Sequence, residues 1–329
     1  MKKNRFLFVA MLFAALSLGF VSCDNKGNDP DDPQGEQTEQ SGSTENNGGE
    51  ETPTPDPDEG EGEGGSSDSP VSNFTPAAFS VSADKKVYFS SGNLQYTQST
   101  DTWSFASAQW EVIGADNVTG GDVTSDPTYG DYKEGTALAD KVDLFGWSTS
   151  ATYFGVSTSM DWENDYLGSF VDWGTNQIGA DAPNTWRTLT EDEWVYVLFD
   201  RPNASSLMGV AQVNGVNGLI LLPDSWTCPA GVTFRSGFHS ELGVDYYAAY
   251  QTFTADQWSK MEAAGAVFLP TAGYRYGSEV LDVQYYGYYC SATEGDSYDA
   301  YYLIFCSYWA DVLGTPRFRG QSVRLVKDL

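Results

Sequence analysis

The chain has 329 residues, with 46 acidic and 17 basic side chains and a formal net charge of −29. A surface this acidic repels nucleic acid and anionic lipid, which disfavours both as partners. His239 is the only histidine, so histidine-rich zinc sites are excluded and most hydrolytic triads lack their base. We expect His239 to lie in a surface loop rather than to act as a base.

The first 22 residues, 1–22, have the layout of a secretory signal peptide. A basic start precedes the stretch 6–20, which is apolar or small throughout and too short to span a bilayer. The stretch leads into Phe20-Val21-Ser22-Cys23, which resembles a bacterial lipobox, although Phe20 stands where Leu is usual. We predict cleavage before Cys23 and acylation of this residue, which anchors the chain to a membrane. The alternative is an ordinary signal peptide with an unrelated cysteine.

Residues 23–73 follow as a linker with an unusual composition. The stretch 24–73 contains 15 acidic side chains against one lysine, and Val71 is its only sizeable apolar residue. Such a segment buries too little apolar surface to offset the entropy of ordering, and its carboxylates repel one another. We therefore predict a disordered, extended tether. The alternative, a binding site for a basic partner, stays open.

The remaining residues, 74–329, are numerous enough for one large domain and carry a net charge of −18, from 31 acidic and 13 basic side chains. The domain opens with a β pattern, in which Val81, Val87 and Phe89 alternate with polar residues around a turn. The stretch 115–140 is rich in Gly, Asp and Thr, and it predicts loops.

Two helices are indicated by their N-terminal caps. Thr190 precedes Glu193 by three residues, and Thr254 precedes Gln257 by the same spacing, so each pair matches a capping box. Gly265 ends the second helix. The apolar runs GLILL and AVFLP predict buried strands. Together these elements predict an α+β fold with two capped helices, short antiparallel strands and long loops.

Motifs for catalysis and metal binding are weak. Asp161, Glu163 and Asp165 are close enough in sequence to bind Ca²⁺ through oxygen, but a solvated acidic loop is the simpler interpretation. No spacing among the other acidic residues singles out a pair for glycoside hydrolysis. We therefore predict no catalytic residue, no metal site and no cofactor.

The C-terminal part is rich in tyrosine, since eight of the 20 tyrosines lie within 285–309. In the strand pattern AYYLIFCSYW, Leu303 and Phe305 share one parity, and the family resemblance described below implies that this parity faces the core. The opposite parity belongs to Tyr302, Ile304, Cys306 and Tyr308. We expect this second set to face solvent, where tyrosine offers a large amphipathic contact area at low entropic cost. The alternative is a strand that is buried on both faces.

Several stretches of the domain resemble a known family. They are FSVSADKKVYFSSGNLQY, TWSFASAQWEVIG, DLFGWSTS, WRTLTEDEW and the tail from FLPTAGYR to RFRGQSVRLVKDL. They are similar to surface lipoproteins of Bacteroidetes with a C-type-lectin-like domain, of the subtype shared with formylglycine-generating enzymes and sulfatase-modifying factors. The tail also resembles the Fibrobacter succinogenes major paralogous domain. The resemblance covers most of 79–329. It implies a C-type-lectin-like fold for 74–329 and an exported chain that is lipid-anchored to the outer membrane and exposed at the cell surface.

Some members of that family are targets of diversity-generating retroelements, in which a reverse transcriptase rewrites adenines in a C-terminal repeat. The resemblance implies that the segment 276–319 binds the ligand, and it raises the hypothesis that this segment is diversified. Cys290 stands where related tails carry Trp, and Cys306 where they carry Asn or Ser. These departures are products either of diversification or of ordinary drift.

The predicted ligand-binding residues combine the outward parity with flanking side chains, and we expect them to hold a protein or a glycan on a monomeric domain. They are Tyr285, Tyr286, Glu294, Asp296, Tyr302, Ile304, Cys306, Tyr308, Trp309, Arg317 and Arg319. One alternative is an enzyme related to the formylglycine-generating oxidases, although Cys290 and Cys306, 16 residues apart, do not match their closely spaced copper-binding pair. The other alternative is a structural or fimbrial envelope component. A disulfide between the two cysteines stays open beside two free thiols.

Overall fold

The computed structural model describes residues 74–329, so the predicted signal peptide 1–22 and the linker 23–73 with Cys23 lie outside the described residues. The described chain is a mixed α+β domain with mostly strands and few helices, as the sequence predicted. In chain order the strands are β1 (Phe79–Ser80), β2 (Lys86–Phe89), β3 (Leu94–Thr97), β4 (Thr102–Phe105), β5 (Val118–Thr119), β6 (Val123–Asp126), β7 (Gly130–Glu134), β8 (Ala137–Leu138), β9 (Lys141–Val142), β10 (Met208–Val213), β11 (Val216–Leu221), β12 (Thr252–Phe253), β13 (Val267–Pro270), β14 (Tyr274–Tyr276), β15 (Glu279–Val283), β16 (Gly287–Glu294), β17 (Asp299–Phe305), β18 (Ala310–Pro316) and β19 (Val326–Asp328). The helices are α1 (Glu191–Val195), α2 (Tyr246–Tyr250) and α3 (Ala255–Ala263).

The strands pair in small sheets, almost always antiparallel. The first and last strands, β1 and β19, both pair with β2, which brings the two ends of the domain together. A central sheet has the order β12–β10–β11–β13, in which β12 runs parallel to β10. The C-terminal sheet has the order β16–β17–β18 and contains most of the tyrosine-rich segment.

The largest core cluster joins the central sheet, α1 and one face of the C-terminal sheet. Leu219 of β11 and both Leu303 and Phe305 of β17 are completely buried in it. Trp194 of α1 is also completely buried, and its Nε1 donates to the carbonyl oxygen of Cys290 at 3.2 Å. Each such apolar side chain stabilises the fold by about 1.5–3 kcal/mol, so the C-terminal sheet is held firmly by its inner face.

Both predicted capping boxes are confirmed. The hydroxyl of Thr190 accepts from the backbone N–H of Glu193 at 3.3 Å, and the carboxylate of Glu193 accepts from the N–H of Thr190 at 3.0 Å. Thr254 and Gln257 make the same exchange at the start of α3. Gly265 follows α3 with a φ of 88°, the left-handed geometry expected after a helix end. In the described part of the chain, α3 is the longest helix, and its nine residues are too few to cross a bilayer.

The opening hairpin and the runs GLILL and AVFLP form strands as predicted, but the prediction of loops over 115–140 is wrong in part. The strands β5, β6, β7 and β8 all lie in that stretch. The hairpin β6–β7 is largely exposed, so it shows no alternation of apolar and polar residues. The other neighbour of β7 is β15, far along the chain, so its pairing leaves no local signal in the sequence.

Candidate ligand-binding face

The C-terminal sheet has two faces of different character. On its inner face, Leu303 of β17 lies between Tyr289 of β16 and Val312 of β18, and all three pack in the main core. On its outer face, Tyr302 and Ile304 belong to a separate small cluster. The prediction that Leu303 and Phe305 face the core is therefore confirmed, and Tyr302 and Ile304 pack on the opposite side of the strand.

The cluster on the outer side of the sheet is built mainly from aromatic rings, and we call it the aromatic face. It comprises Tyr274, Tyr286, Tyr288, Tyr302, Ile304, Trp309 and Leu313. The ring of Tyr288 stacks on Tyr302 with centroids 5.9 Å apart and meets the edge of Tyr274 at 5.0 Å. Tyr286 lies 5.8 Å from Tyr288 and 6.4 Å from Trp309. Each such pair contributes about 0.5–1.5 kcal/mol, so the rings fix one another in place.

The prediction that the outward parity meets solvent is wrong for three residues. Tyr302 is 6% exposed, Ile304 is 7% exposed and Cys306 is fully buried. Neighbouring rings of the aromatic face shield the first two, and Tyr274 comes from β14, which the parity of β17 does not take into account. Tyr308 meets the expectation, because it is 39% exposed, and its ring lies 6.3 Å from that of Trp309. Tyr308 therefore forms an exposed edge of the aromatic face beside its member Trp309.

Tyr285 also differs from its predicted position at the surface, because it is 4% exposed. Its ring meets that of Tyr286 edge-on at 4.5 Å, and its carbonyl oxygen accepts from the Tyr247 hydroxyl at 2.9 Å. Tyr286 is only half-buried and belongs to the aromatic face. Tyr285 is therefore a buried residue that packs against the ring of Tyr286, whereas Tyr286 is the member of this pair that a ligand can reach.

Arg317, predicted as a ligand contact, is a structural residue with 2% exposure. Its guanidinium donates to the carboxylate of Glu294 and to the backbone oxygen of Asp296. It also donates to the carbonyl oxygens of Asp299 and Tyr166, at 3.3 and 3.1 Å. These bonds hold the loop between β16 and β17 in place, and the exposed Glu294 and Asp296 remain candidates for ligand contact.

Arg319 is less buried than Arg317, and it keeps its predicted role as a candidate contact. Its guanidinium carbon lies 5.1 Å from the ring centroid of Tyr274 and 6.0 Å from that of Tyr276, within the range of cation–π attraction. Among residues 74–329 it forms no salt bridge, and its side chain donates no hydrogen bond. Arg319 therefore brings to the aromatic face a positive charge that no salt bridge within residues 74–329 compensates.

Asp282 is a site residue that the sequence did not reveal, because nothing distinguishes it from the other acidic side chains. Asp282 precedes Tyr288 by six positions in the sequence, and its backbone has a φ of 63°. Its carboxylate accepts from the Tyr288 hydroxyl at 2.8 Å. Burial raises the pKa of Asp282 to about 6, against the lowering effects of Tyr288 and Arg319. The carboxylate therefore fixes the orientation of the Tyr288 ring and changes charge near neutral pH.

Asp282→Asn is expected to raise the free energy of unfolding at pH 7.5 by about 1–2 kcal/mol, because a neutral amide avoids the cost of the ionised carboxylate. The folded pKa of about 6 lies above the usual 3.8, so this cost is complete above pH 6 and is lost as the pH falls towards 3.8. Two pKa units correspond to about 3 kcal/mol, which half-burial reduces. Asn also tolerates the left-handed backbone.

The check is urea unfolding of both proteins at pH 7.5 and pH 4. Other groups with raised pKa values, such as Asp143, are common to both proteins and cancel in the comparison. The advantage of Asp282→Asn should shrink to a small fraction at pH 4. An equal advantage at both pH values would show that the carboxylate charge is not its cause.

The described cysteines are all free. Cys290 and Cys306 are buried and Cys228 is exposed, so the disulfide left open by the sequence is not formed. Burial raises the pKa of Cys306 to about 12 and raises the pKa of Cys290 even further above its usual range. Metal binding and nucleophilic attack both require the thiolate, which burial of this kind disfavours. Cys306 is therefore a packing residue behind the aromatic face rather than a ligand contact.

The remaining candidates for chemistry lie in loops. His239 is half-buried, accepts at Nδ1 from the backbone N–H of Glu241 at 3.0 Å, and stacks on Tyr246 with centroids 4.5 Å apart. Asp161 is exposed and accepts from the side chain of Asn164 at 2.7 Å, as expected of a solvated acidic loop. Over residues 74–329, no group of three or more His, Cys, Asp or Glu side chains is arranged to hold a metal ion.

Comparison of the chain with protein-family models, with curated proteins and with solved structures returned no match.

Proposed function

We propose that this chain is a ligand-binding lipoprotein and that its aromatic face, with the rim at Glu294 and Asp296, is the contact surface. One observation carries the proposal: a layer of rings in mutual contact covers the outer side of a sheet whose inner side packs in the main core. The rings of this layer are fixed by one another, and its edge at Tyr308 and Trp309 is open to solvent. The layer therefore offers a surface that is ordered before binding.

The chemistry of the face suits recognition of a macromolecule. Tyrosine and tryptophan offer large contact areas with few rotatable bonds, so little entropy is lost when a ligand binds. The exposed Glu294 and Asp296 add hydrogen-bond acceptors at the rim, and Arg317 holds their loop in place. Preorganised aromatic centres with a polar rim are the usual arrangement of strong contact residues. The ligand is a protein or a glycan.

We further propose that the domain has a C-type-lectin-like fold and that acylated Cys23 anchors it at the outer surface of the cell. The two capped helices, the tail sheet and the pairing of β1 and β19 with β2 are consistent with this fold. The acidic composition of 23–73 suits an extended tether between anchor and domain. Labelled fatty acid should be incorporated into the chain but not into Cys23→Ser, and equal labelling of both would contradict the anchor.

Replacing Tyr308 by serine or Trp309 by alanine is expected to weaken ligand binding at least about tenfold, since such aromatic residues commonly dominate contact surfaces. The purified full chain is applied to an array of glycans and to an array of proteins, and the affinity of each binder is then measured for every variant. Tyr132→Ser is the matched control, because Tyr132 is 38% exposed and Tyr308 is 39% exposed. A binder whose affinity survives the combined Tyr308 and Trp309 change would refute the proposed surface.

A further inference from the structure

A small, partly open cavity of about 10 Å³ lies at the end of the outer side of the C-terminal sheet. Ala300 of β17 lies opposite Thr315 of β18, and these short side chains continue the row in which Tyr302 lies opposite Leu313. The walls are completed by Arg319 and Gln321 and by their neighbours Trp147, Cys290, Tyr301, Pro316 and Arg317. The cavity is thus an extension of the aromatic face, at the place where large rings give way to small residues.

Two hydrogen-bond donors of the cavity walls have no acceptor within the described chain. They are Nε of Arg319 and Nε2 of Gln321, both fully enclosed. Gln321 as a whole is 3% exposed. A buried donor without a partner costs about 1–3 kcal/mol, so these two atoms favour any group that accepts from both. The nearby thiol of Cys290 does not relieve them, because its contacts are with the oxygens of Gln321 and Phe145.

The charge of the walls favours an anionic acceptor over a neutral one. Arg317 is balanced by the carboxylate of Glu294. Burial raises the pKa values of Asp282 and Asp299 and the charge of Arg319 partly opposes this rise, yet within residues 74–329 no salt bridge joins Arg319 to either carboxylate. The domain is strongly acidic overall, but at physiological salt exposed charges are screened beyond about 8 Å. Among the charged side chains that line the cavity, Arg319 is therefore the one whose charge no salt bridge within residues 74–329 compensates.

The size of the cavity limits what enters it. A volume of about 10 Å³ is close to that of one water-sized sphere, so a single oxygen atom fits and a whole phosphate or sulfate does not. Arg319 also borders the aromatic face through Tyr274 and Tyr276. A ligand on that face can therefore place one oxygen of a planar carboxylate in the cavity while the rest of the group stays outside.

We propose that Arg319 and Gln321 form a carboxylate subsite of the aromatic face, in which one carboxylate oxygen accepts from Nε of Arg319 and Nε2 of Gln321. The proposal rests on the proposed function for the source of the carboxylate, which is the bound ligand. Such charge-assisted hydrogen bonds are stronger than neutral ones and directional, so the subsite selects ligands that bear an acidic group. A neutral ligand of the same shape can place a carbonyl oxygen there, but its hydrogen bonds lack the charge assistance.

The test uses acetate as the probe and the ¹⁵N-labelled full chain. Acetate is titrated while ionic strength is held constant with the bulky MOPS anion, and the Nε–H signal of Arg319 and the Nε2 signals of Gln321 are followed. Saturable shifts of both are expected, with apparent affinity at least about tenfold weaker in Arg319→Met and in Gln321→Met, a change equivalent to about 1.4 kcal/mol. Near-UV circular dichroism confirms that each variant is folded.

Trp309→Ala separates this proposal from the proposed function. Trp309 does not line the cavity, so this variant should bind acetate like the wild type even if it no longer captures the ligand. The absence of a saturable shift overturns the subsite, and so does an equal shift in Arg319→Met, which would indicate an adventitious ion only. Chloride is titrated in parallel, and a response to chloride without a response to acetate overturns the carboxylate assignment in favour of a halide site.

Discussion

Arg317→Met is expected to lower the free energy of unfolding by about 2–4 kcal/mol, because a buried hydrogen-bond network loses the guanidinium that joins its acceptors. The change leaves the backbone oxygens of Tyr166, Asp296 and Asp299 without the donor that Arg317 gives them. It also removes the guanidinium from its position 4.4 Å from the ring centre of Trp147. Methionine keeps most of the side-chain volume, so the loss reports mainly on the hydrogen bonds.

The measurement is urea unfolding, with Arg235→Met as the matched control. Arg235 is exposed and lies 4.0 Å from the ring centre of Tyr250, so its replacement should cost less than about 1 kcal/mol. Arg317→Lys should not restore stability, since one ammonium cannot reach acceptors spread over two loops. A cost for Arg317→Met as small as that of the control would show that Arg317 is a surface contact, as the sequence had suggested.

Local patterns in the sequence were sufficient wherever an element is determined by its own residues. The capping boxes at Thr190 and Thr254 satisfy backbone groups only three residues away, and both form as predicted. The twofold period of a strand separated Leu303 and Phe305 from their neighbours, and the family resemblance assigned that parity to the core, where both residues lie. Signals of this kind do not depend on the rest of the fold, which explains their success.

The errors lie where burial is decided by residues distant in sequence. Ile304 and Tyr302 are shielded by a cluster that includes Tyr274 of another sheet, and no periodicity within β17 contains that information. Arg317 was assigned to the ligand as a polar residue that flanks the aromatic segment, yet its acceptors include Tyr166, 151 positions earlier. The candidate site therefore keeps its place on the sheet but changes its members. Asp282 enters it, whereas Cys306 becomes part of the packing behind it.

Leu303→Ala is expected to lower the free energy of unfolding by about 3–5 kcal/mol, whereas Ile304→Ala should lower it by only about 1–2 kcal/mol. The two residues are neighbours on β17 with side chains of equal size. Leu303 is completely buried in the main core, so its removal leaves a cavity that firmly packed neighbours cannot fill. Ile304 belongs to the thin outer cluster and is 7% exposed, so adjacent rings can move into the space.

Urea unfolding of the two variants measures how much each face of the sheet contributes to the free energy of unfolding. A large cost on the inner face with a small cost on the outer face means that the aromatic face contributes little to folding. The presence of so many aromatic residues on this face would then need an explanation other than stability, and ligand binding supplies one. Equal costs would mean that the outer cluster is a second core, and the proposed contact surface would shrink to the exposed edge at Tyr308 and Trp309. Ile304→Ala therefore also belongs in the binding assay, where a loss of affinity larger than its loss of stability would assign the face to the ligand.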